Sequence, residues 1–262
     1  MTKKIRLMTF NIRFENDQDG QNSWFYRRDL VVKLIRRYLP DIFGIQEGRW
    51  NQLLYLQDHL PYKFNAIGRT VDSTCQYPTL FIREDCFRII EGGEFWLSKT
   101  PDVHRSKDWD SAFPRMISYV KTGFIGTPES FWVAVTHLDN KGIQARYEQA
   151  KIIVSWIKER KGDPVILMGD FNAGPTSHIH DLLTGSETGL FDTWQVAGMK
   201  EDADSFTHHG FTGVPHDSRI DWILVTPHFK VVQVEIIRDD FHGHYPSDHF
   251  PCMVDLLFAI PE

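Results

Sequence analysis

Residues 165–172 read Val-Ile-Leu-Met-Gly-Asp-Phe-Asn. The apolar run Val165–Met168, bounded by a glycine, predicts a short buried strand. Asp170 and Asn172 then stand where the strand stops. The same grammar recurs along the chain. Leu-Met-Thr-Phe ends in Asn11, Ile-Phe-Gly-Ile in Gln46-Glu47, and Val-Ala-Val-Thr in His137. Asp221 begins the strand Trp-Ile-Leu-Val, and Ser247-Asp248-His249 precedes Cys-Met-Val-Asp-Leu-Leu. Strand ends on one rim of a sheet can converge, and rigid strands position side chains well.

Working outward, further strands are expected at Ile5–Phe10, Ile42–Ile45, Thr79–Ile82, Met116–Val120, Trp132–Thr136, Trp222–Val225 and Met253–Phe258. Ser23–Leu39 is expected to be a helix capped by Ser23, with Val31, Leu34, Ile35 and Tyr38 at helical spacing. Gln144–Lys161 carries the stripe Ala150, Ile153, Val154 and Ile157, with Lys158, Arg160 and Lys161 suited to the C-terminal dipole. A third helix is expected around Asn51–His59. Strands outnumber helices without strict alternation, which favours a sheet sandwich with flanking helices, an α+β fold. Thr9-Phe10-Asn11 is echoed by Gly169-Asp170-Phe171-Asn172, a hint of two related halves meeting face to face.

The 262 residues carry 29 Lys+Arg against 35 Asp+Glu, a net charge of −6 that disfavours binding to nucleic acid mainly by phosphate neutralisation. With 42% hydrophobic and 24% charged residues, wholesale disorder is excluded. No linker divides the sequence, so residues 1–262 are expected to form a single domain. No apolar stretch is long enough to span a membrane. Arg6 and Asn11 interrupt the opening apolar run, so it reads as no secretory leader, and a cytoplasmic location is expected. Cys75, Cys86 and Cys252 are widely spaced with no C-x-x-C, as free thiols in a reducing compartment would be.

The strand-end residues decide the chemistry. Carboxylates (Glu47, Asp170, Asp221, Asp248), amides (Asn11, Asn172) and imidazoles (His137, His249) dominate. Oxygen-rich sites suit Mg²⁺ or Mn²⁺ beside a phosphate. Imidazoles supply proton transfer or transition-state hydrogen bonds. Taken singly, each residue is as easily a turn former or a structural histidine. Six strand-associated motifs with one chemical theme point to hydrolysis of a phosphate ester.

The motif set resembles the endonuclease/exonuclease/phosphatase superfamily, the DNase I-like fold. Thr9-Phe10-Asn11, Gln46-Glu47, Thr136-His137-Leu138, Gly169-Asp170-Phe171-Asn172, Arg219-Ile220-Asp221 and Ser247-Asp248-His249-Phe250-Pro251 follow in family order. Glu94–Ser98, Pro114-Arg115, Thr136–Asp139 and Tyr245–His249 are similar to a compact bacterial subgroup. The resemblance implies a four-layer α/β/β/α sandwich with the site on one rim. It implies Glu47 as principal metal ligand, helped by Asn11 and Asp248. It implies that Asp170 orients or deprotonates the attacking water and that Asn172 contacts a phosphoryl oxygen. His249, polarised by Asp221, would stabilise the transition state. His137 would donate to a phosphoryl oxygen or protonate the leaving group. Arg115 and Asn140 are implied phosphate contacts, a surface ion pair being the competing reading of Arg115.

One departure stands out. Many relatives carry Gly-Glu where this chain has Cys75-Gln76, the Glu orienting the strand-end His; Asp139 is a candidate to compensate. His208-His209 and His242/His244 have no metal-ligand spacing and read as solvated or structural, with His242 and His244 near the rim. Trp96, Trp109, Tyr245 and Phe250 read as core or rim packing, with stacking of one or two on a sugar or base as the alternative. Basic residues are scattered or lie on helices. The loops expected near the site (Asp139–Lys141, Glu201–Asp204, Asp239–His244) are acidic or neutral. That favours a small phosphorylated molecule, such as a sugar phosphate, over a DNA or RNA nuclease substrate. A catalytically inactive binding module would have lost a core motif, and none is lost. No protein partner is expected.

Overall fold

The apolar runs become the strands of two six-stranded sheets. The structure, a computed structural model, describes residues 2–259. The chain begins with β1 (Thr2–Asn11), α1 (Trp24–Tyr38), β2 (Ile42–Gly48), α2 (Trp50–His59), β3 (Lys63–Phe64) and β4 (Tyr77–Ile82). It continues through β5 (Phe87–Trp96), β6 (Met116–Phe124), β7 (Phe131–His137), α3 (Ile143–Lys158), β8 (Val165–Asp170) and α4 (His178–Leu183). It closes with β9 (Phe191–Asp192), a short helix α5 (Thr193–Val196), β10 (Asp221–Val225), β11 (Phe229–Ile236) and β12 (Cys252–Ala259).

The first sheet has the order β11-β12-β1-β2-β4-β3, the second β5-β6-β7-β8-β10-β9. Side-chain alternation sends odd and even residues of a strand to opposite faces. On β1, Ile5 and Leu7 face β8's Ile166 and Met168 in the core between the sheets. Met8 and Phe10 point the other way, against Val31 and Ile35 of α1 and Leu53 and Leu56 of α2. On β8, Val165 and Leu167 meet Ile153, Val154 and Ile157 of α3. Both faces of each central strand are thus covered, which is why these strands read as continuous apolar runs. The result is the expected four-layer α/β/β/α sandwich, an α+β fold.

The differences lie at the margins. Ser23 occupies the N-cap position of α1, but its side chain makes no capping hydrogen bond. α3 stops at Lys158; beyond it, Arg160 Nη1 donates back to the Trp156 carbonyl at 2.6 Å, satisfying a helix-end acceptor. β5 and β11 went unread because they are edge strands, half-exposed and interrupted by bulges. Among the described residues no helix is long and apolar enough to cross a membrane.

The two sheets share one topology. Placing β11 and β12 before β1 in chain order makes the first sheet repeat the second, strand for strand. Each has a central parallel pair, β1–β2 and β7–β8, and antiparallel neighbours otherwise. The equivalence matches β1 with β7 and β2 with β8. The sequence echo had aligned the end of β1 with the end of β8. The two halves are real, but that tripeptide match is coincidental.

Candidate active site

Parallel neighbours end at the same edge, so each central pair delivers two strand ends side by side. Asn11 is in register with Gln46, and His137 with Asp170. The sheets face each other there, and Asn11 Nδ2 donates across the gap to Asp170 Oδ2 at 3.0 Å. The Phe14 N–H donates to Glu47 Oε2 at 3.0 Å, and Ser247 Oγ donates to the Asn11 carbonyl at 2.6 Å. That last bond ties the Ser247-Asp248-His249 segment to the rim. Local backbone is bent to reach it. Glu47 has φ 65° and Asn172 φ 48°, a region that costs an L-residue energy and clusters at functional sites. Gly169 must be glycine, because a Cβ there would lie 2.1 Å from the Thr136 carbonyl oxygen.

Glu47, Arg115, His137, Asn140, Asp170, Asn172, Asp248 and His249 all line one open cavity of about 1360 Å³, its mouth included. Asn11 and Asp221 lie behind this wall, each 1% exposed. Asn11 reaches the site through Asp170. Asp221 does so through His249, whose Nδ1 lies 2.9 Å from Asp221 Oδ2. His137 Nε2 lies 3.0 Å from Asn172 Nδ2 and 3.3 Å from Asp170 Oδ2.

Electrostatics divides the two imidazoles. Burial opposes charge on His249, but Asp221, Asp170 and Asp248 overcome it and hold the ring protonated. His137 goes the other way. Burial, then Arg115 and His249, push it well below the ordinary imidazole range, so it is neutral at neutral pH. Burial, then the Asp221 charge, raise the Asp170 carboxyl, opposed by His249 and the Asn11 amide.

Arg115 is no surface ion pair. It is 7% exposed, its Nε has no hydrogen-bond partner, and among the described residues its side chain makes one hydrogen bond, from Nη2 to Asn140 Oδ1 at a long 3.4 Å, beside a buried ion pair with Asp139. Asp139 does not compensate for Gln76. It is buried away from His137 and accepts backbone N–H bonds from Ala112, Phe113, Lys141 and Gly142, with Arg115 Nε at 3.6 Å. Gln76 does line the cavity beside His137.

Sequence reasoning missed Arg13, His208 and His216, which also line the cavity. His208 is brought there by a bridge to His249, which no spacing in the sequence announces. His244 instead lines a separate cavity with Arg27 and Phe241, and His242 is absent from the wall of this one. Of the three loops expected near the site, only Asn140 and Lys141 line it. Glu201 is turned to Arg219, and Asp239 to Arg37 and Tyr38. With His249 protonated, the wall sets four cations (Arg13, Arg115, Lys141, His249) against four carboxylates (Glu47, Asp170, Asp217, Asp248).

A sandwich with paired carboxylates, a carboxylate-backed imidazole and a buried guanidinium at one rim defines a class, the two-sheet phosphoester hydrolases. The chain belongs to the Endonuclease/Exonuclease/phosphatase family, whose model matches residues 8–249. A solved family member from Bacteroides thetaiotaomicron is 32% identical, with TM-score 0.89 over 99% of this chain and 100% of that one. A mannosyl-6-phosphatase from the same organism is 33% identical, with TM-score 0.86 over 97% and 100%. A Drosophila melanogaster Nocturnin is 23% identical over 200 residues, covering 71% of this chain; the chain spans only 30% of that protein.

Proposed function

We propose that this chain is a divalent-metal-dependent hydrolase of a small phosphorylated organic molecule such as a sugar phosphate. Arg115 carries the reading. Asp139 at 3.6 Å offsets its charge, but the buried guanidinium still has an Nε with no hydrogen-bond acceptor and one long hydrogen bond, and donors left so are costly unless a ligand completes them. A phosphate does so, since its oxygens accept the planar fork. The mannosyl-6-phosphatase likeness supports the small substrate, as does a cavity wall without net positive charge.

The donor set suits a hard cation. Glu47 and Asp248 would hold Mg²⁺ or Mn²⁺, with Asn11 behind Glu47. When bound, the ion offsets phosphate charge and polarises a phosphoryl oxygen. The remaining work falls to the chain. Asp170, with its raised carboxyl pKa, accepts a proton from the attacking water. Protonated His249 donates to the phosphoryl oxygens as charge builds on them, its ring fixed by Asp221. Neutral His137 donates an N–H, and Asn172 orients that ring.

The test is release of phosphate from sugar phosphates, beside single- and double-stranded DNA and RNA, with Mg²⁺, Mn²⁺ or EDTA. Metal-dependent release from a sugar phosphate is expected. Cleavage confined to nucleic acid would replace this reading with a nuclease.

A further inference from the structure

A second, smaller cavity adjoins the first. It holds about 480 Å³, the open space at its mouth included. Four residues line both cavities: Gln76, Phe113, Arg115 and His137. A phosphoryl group on Arg115 and His137 therefore stands at the mouth of the smaller space.

We infer that this smaller cavity is the subsite for the organic group of the substrate, and that it selects a single neutral, hydroxylated ring. The inference rests on the phosphoester-hydrolase reading above. Buried Cys75, Trp96 and Met116 wall the cavity, which suits a terminal group better than a continuing polymer. Trp96, Phe113 and Pro114 offer an apolar surface to the carbon face of a sugar ring. Hydroxyls need polar partners, and three are present. The Gln76 amide makes no hydrogen bond among the described residues. Thr74 stands beside it. Arg105 spends only Nη1, on Asp72 Oδ2 at 2.8 Å and Thr74 Oγ1 at 2.7 Å.

Charge decides against a second anionic group. The Asp72 carboxylate already balances Arg105, so this end of the cavity offers donors without net charge. A monosaccharide monophosphate matches that character. A sugar bisphosphate would set its second phosphate beside Asp72 and gain no free cation.

Two variants test the subsite against mannose 6-phosphate and fructose 1,6-bisphosphate, with inorganic phosphate as a competitive inhibitor that reports the phosphate contacts alone. Thr74→Trp adds bulk at the Arg105 end of the cavity, and Arg105→Met removes donors while keeping bulk. Thr74→Trp is expected to raise KM for mannose 6-phosphate about tenfold. Arg105→Met is expected to raise it about fivefold. The phosphate inhibition constant should stay within about twofold in both, because no hydrogen bond to phosphate is removed. Wild-type preference for the monophosphate completes the expected result. Unchanged KM in Arg105→Met, an inhibition constant that rises in step with KM, or preference for the bisphosphate overturns the assignment. Hydrolysis of nucleic-acid ends without any sugar phosphate removes the subsite but leaves a phosphoester hydrolase. No hydrolysis of any ester removes both.

Discussion

Asp139→Asn should destabilise the fold and disturb the site together. The Asp139 carboxylate is fully buried and gathers Ala112, Phe113, Lys141 and Gly142 through their N–H groups at 2.7–3.1 Å, with the Ser111 hydroxyl at 3.1 Å. Burial alone would raise its pKa, but those N–H bonds reverse the sign and hold it at about 2 against an ordinary 3.8. At 1.36 kcal/mol per unit, the shift corresponds to roughly 2 kcal/mol of stability at neutral pH. A depressed carboxyl contributes fully above its unfolded pKa and loses that contribution as pH falls through the folded one. Roughly half of it would remain at pH 3. The Asn variant keeps one acceptor and turns an NH₂ group on donors that already point inward. Its loss at pH 7 should be about 3 kcal/mol. Urea unfolding from pH 7 to pH 3 checks both numbers. A loss under about 1 kcal/mol, or a gap to wild type that stays constant with pH, would falsify the account. The same loops carry Arg115 and Asn140, so KM should rise in the folded variant.

The other expectations are more direct. Glu47→Ala and His249→Ala should each cut turnover by at least about 10²-fold while thermal unfolding stays near wild type; activity retained in both would dismantle the site described above. Arg115→Met should weaken inhibition by inorganic phosphate about tenfold or more, and an unchanged inhibition constant would remove Arg115 from the phosphate contacts. Gln76→Glu places a carboxylate in the cavity His137 lines and raises the imidazole pKa. Because turnover uses neutral His137, the acid limb of the rate profile moves upward. An alkaline limb that moves upward instead would show that His137 acts protonated.

What could be read from the sequence follows a physical divide. Central strands covered on both faces announce themselves as apolar runs, and a polar residue directly after such a run is conspicuous. That is how Glu47, His137, Asp170 and Asn172 were found. Edge strands β5 and β11 are half-exposed and bulged, so their composition resembles a loop. Loop geometry was equally hidden. Nothing in the sequence says that Asp139 turns to backbone N–H groups, or that His208 reaches the cavity while His244 lines another.

The topology explains why strand ends carry the chemistry. Most strand pairs here are antiparallel, and antiparallel neighbours put their C-terminal ends on opposite edges. Only β1–β2 and β7–β8 run parallel, so only there does a sheet present two C-terminal ends together. Stacking two such sheets brings four strand ends to one place, and the bond from Asn11 to Asp170 measures how closely they meet. The equivalence of β1 with β7 then pairs Asn11 with His137, and that of β2 with β8 sets the Gln46-Glu47 end against the Asp170 end. One sheet thus supplies the amide and a carboxylate suited to a cation, the other an imidazole and a carboxylate suited to water. Two sheets of one topology thus contribute different residue types to one cavity rim. That division is why the echo between the ends of β1 and β8 misled: corresponding positions carry different residue types.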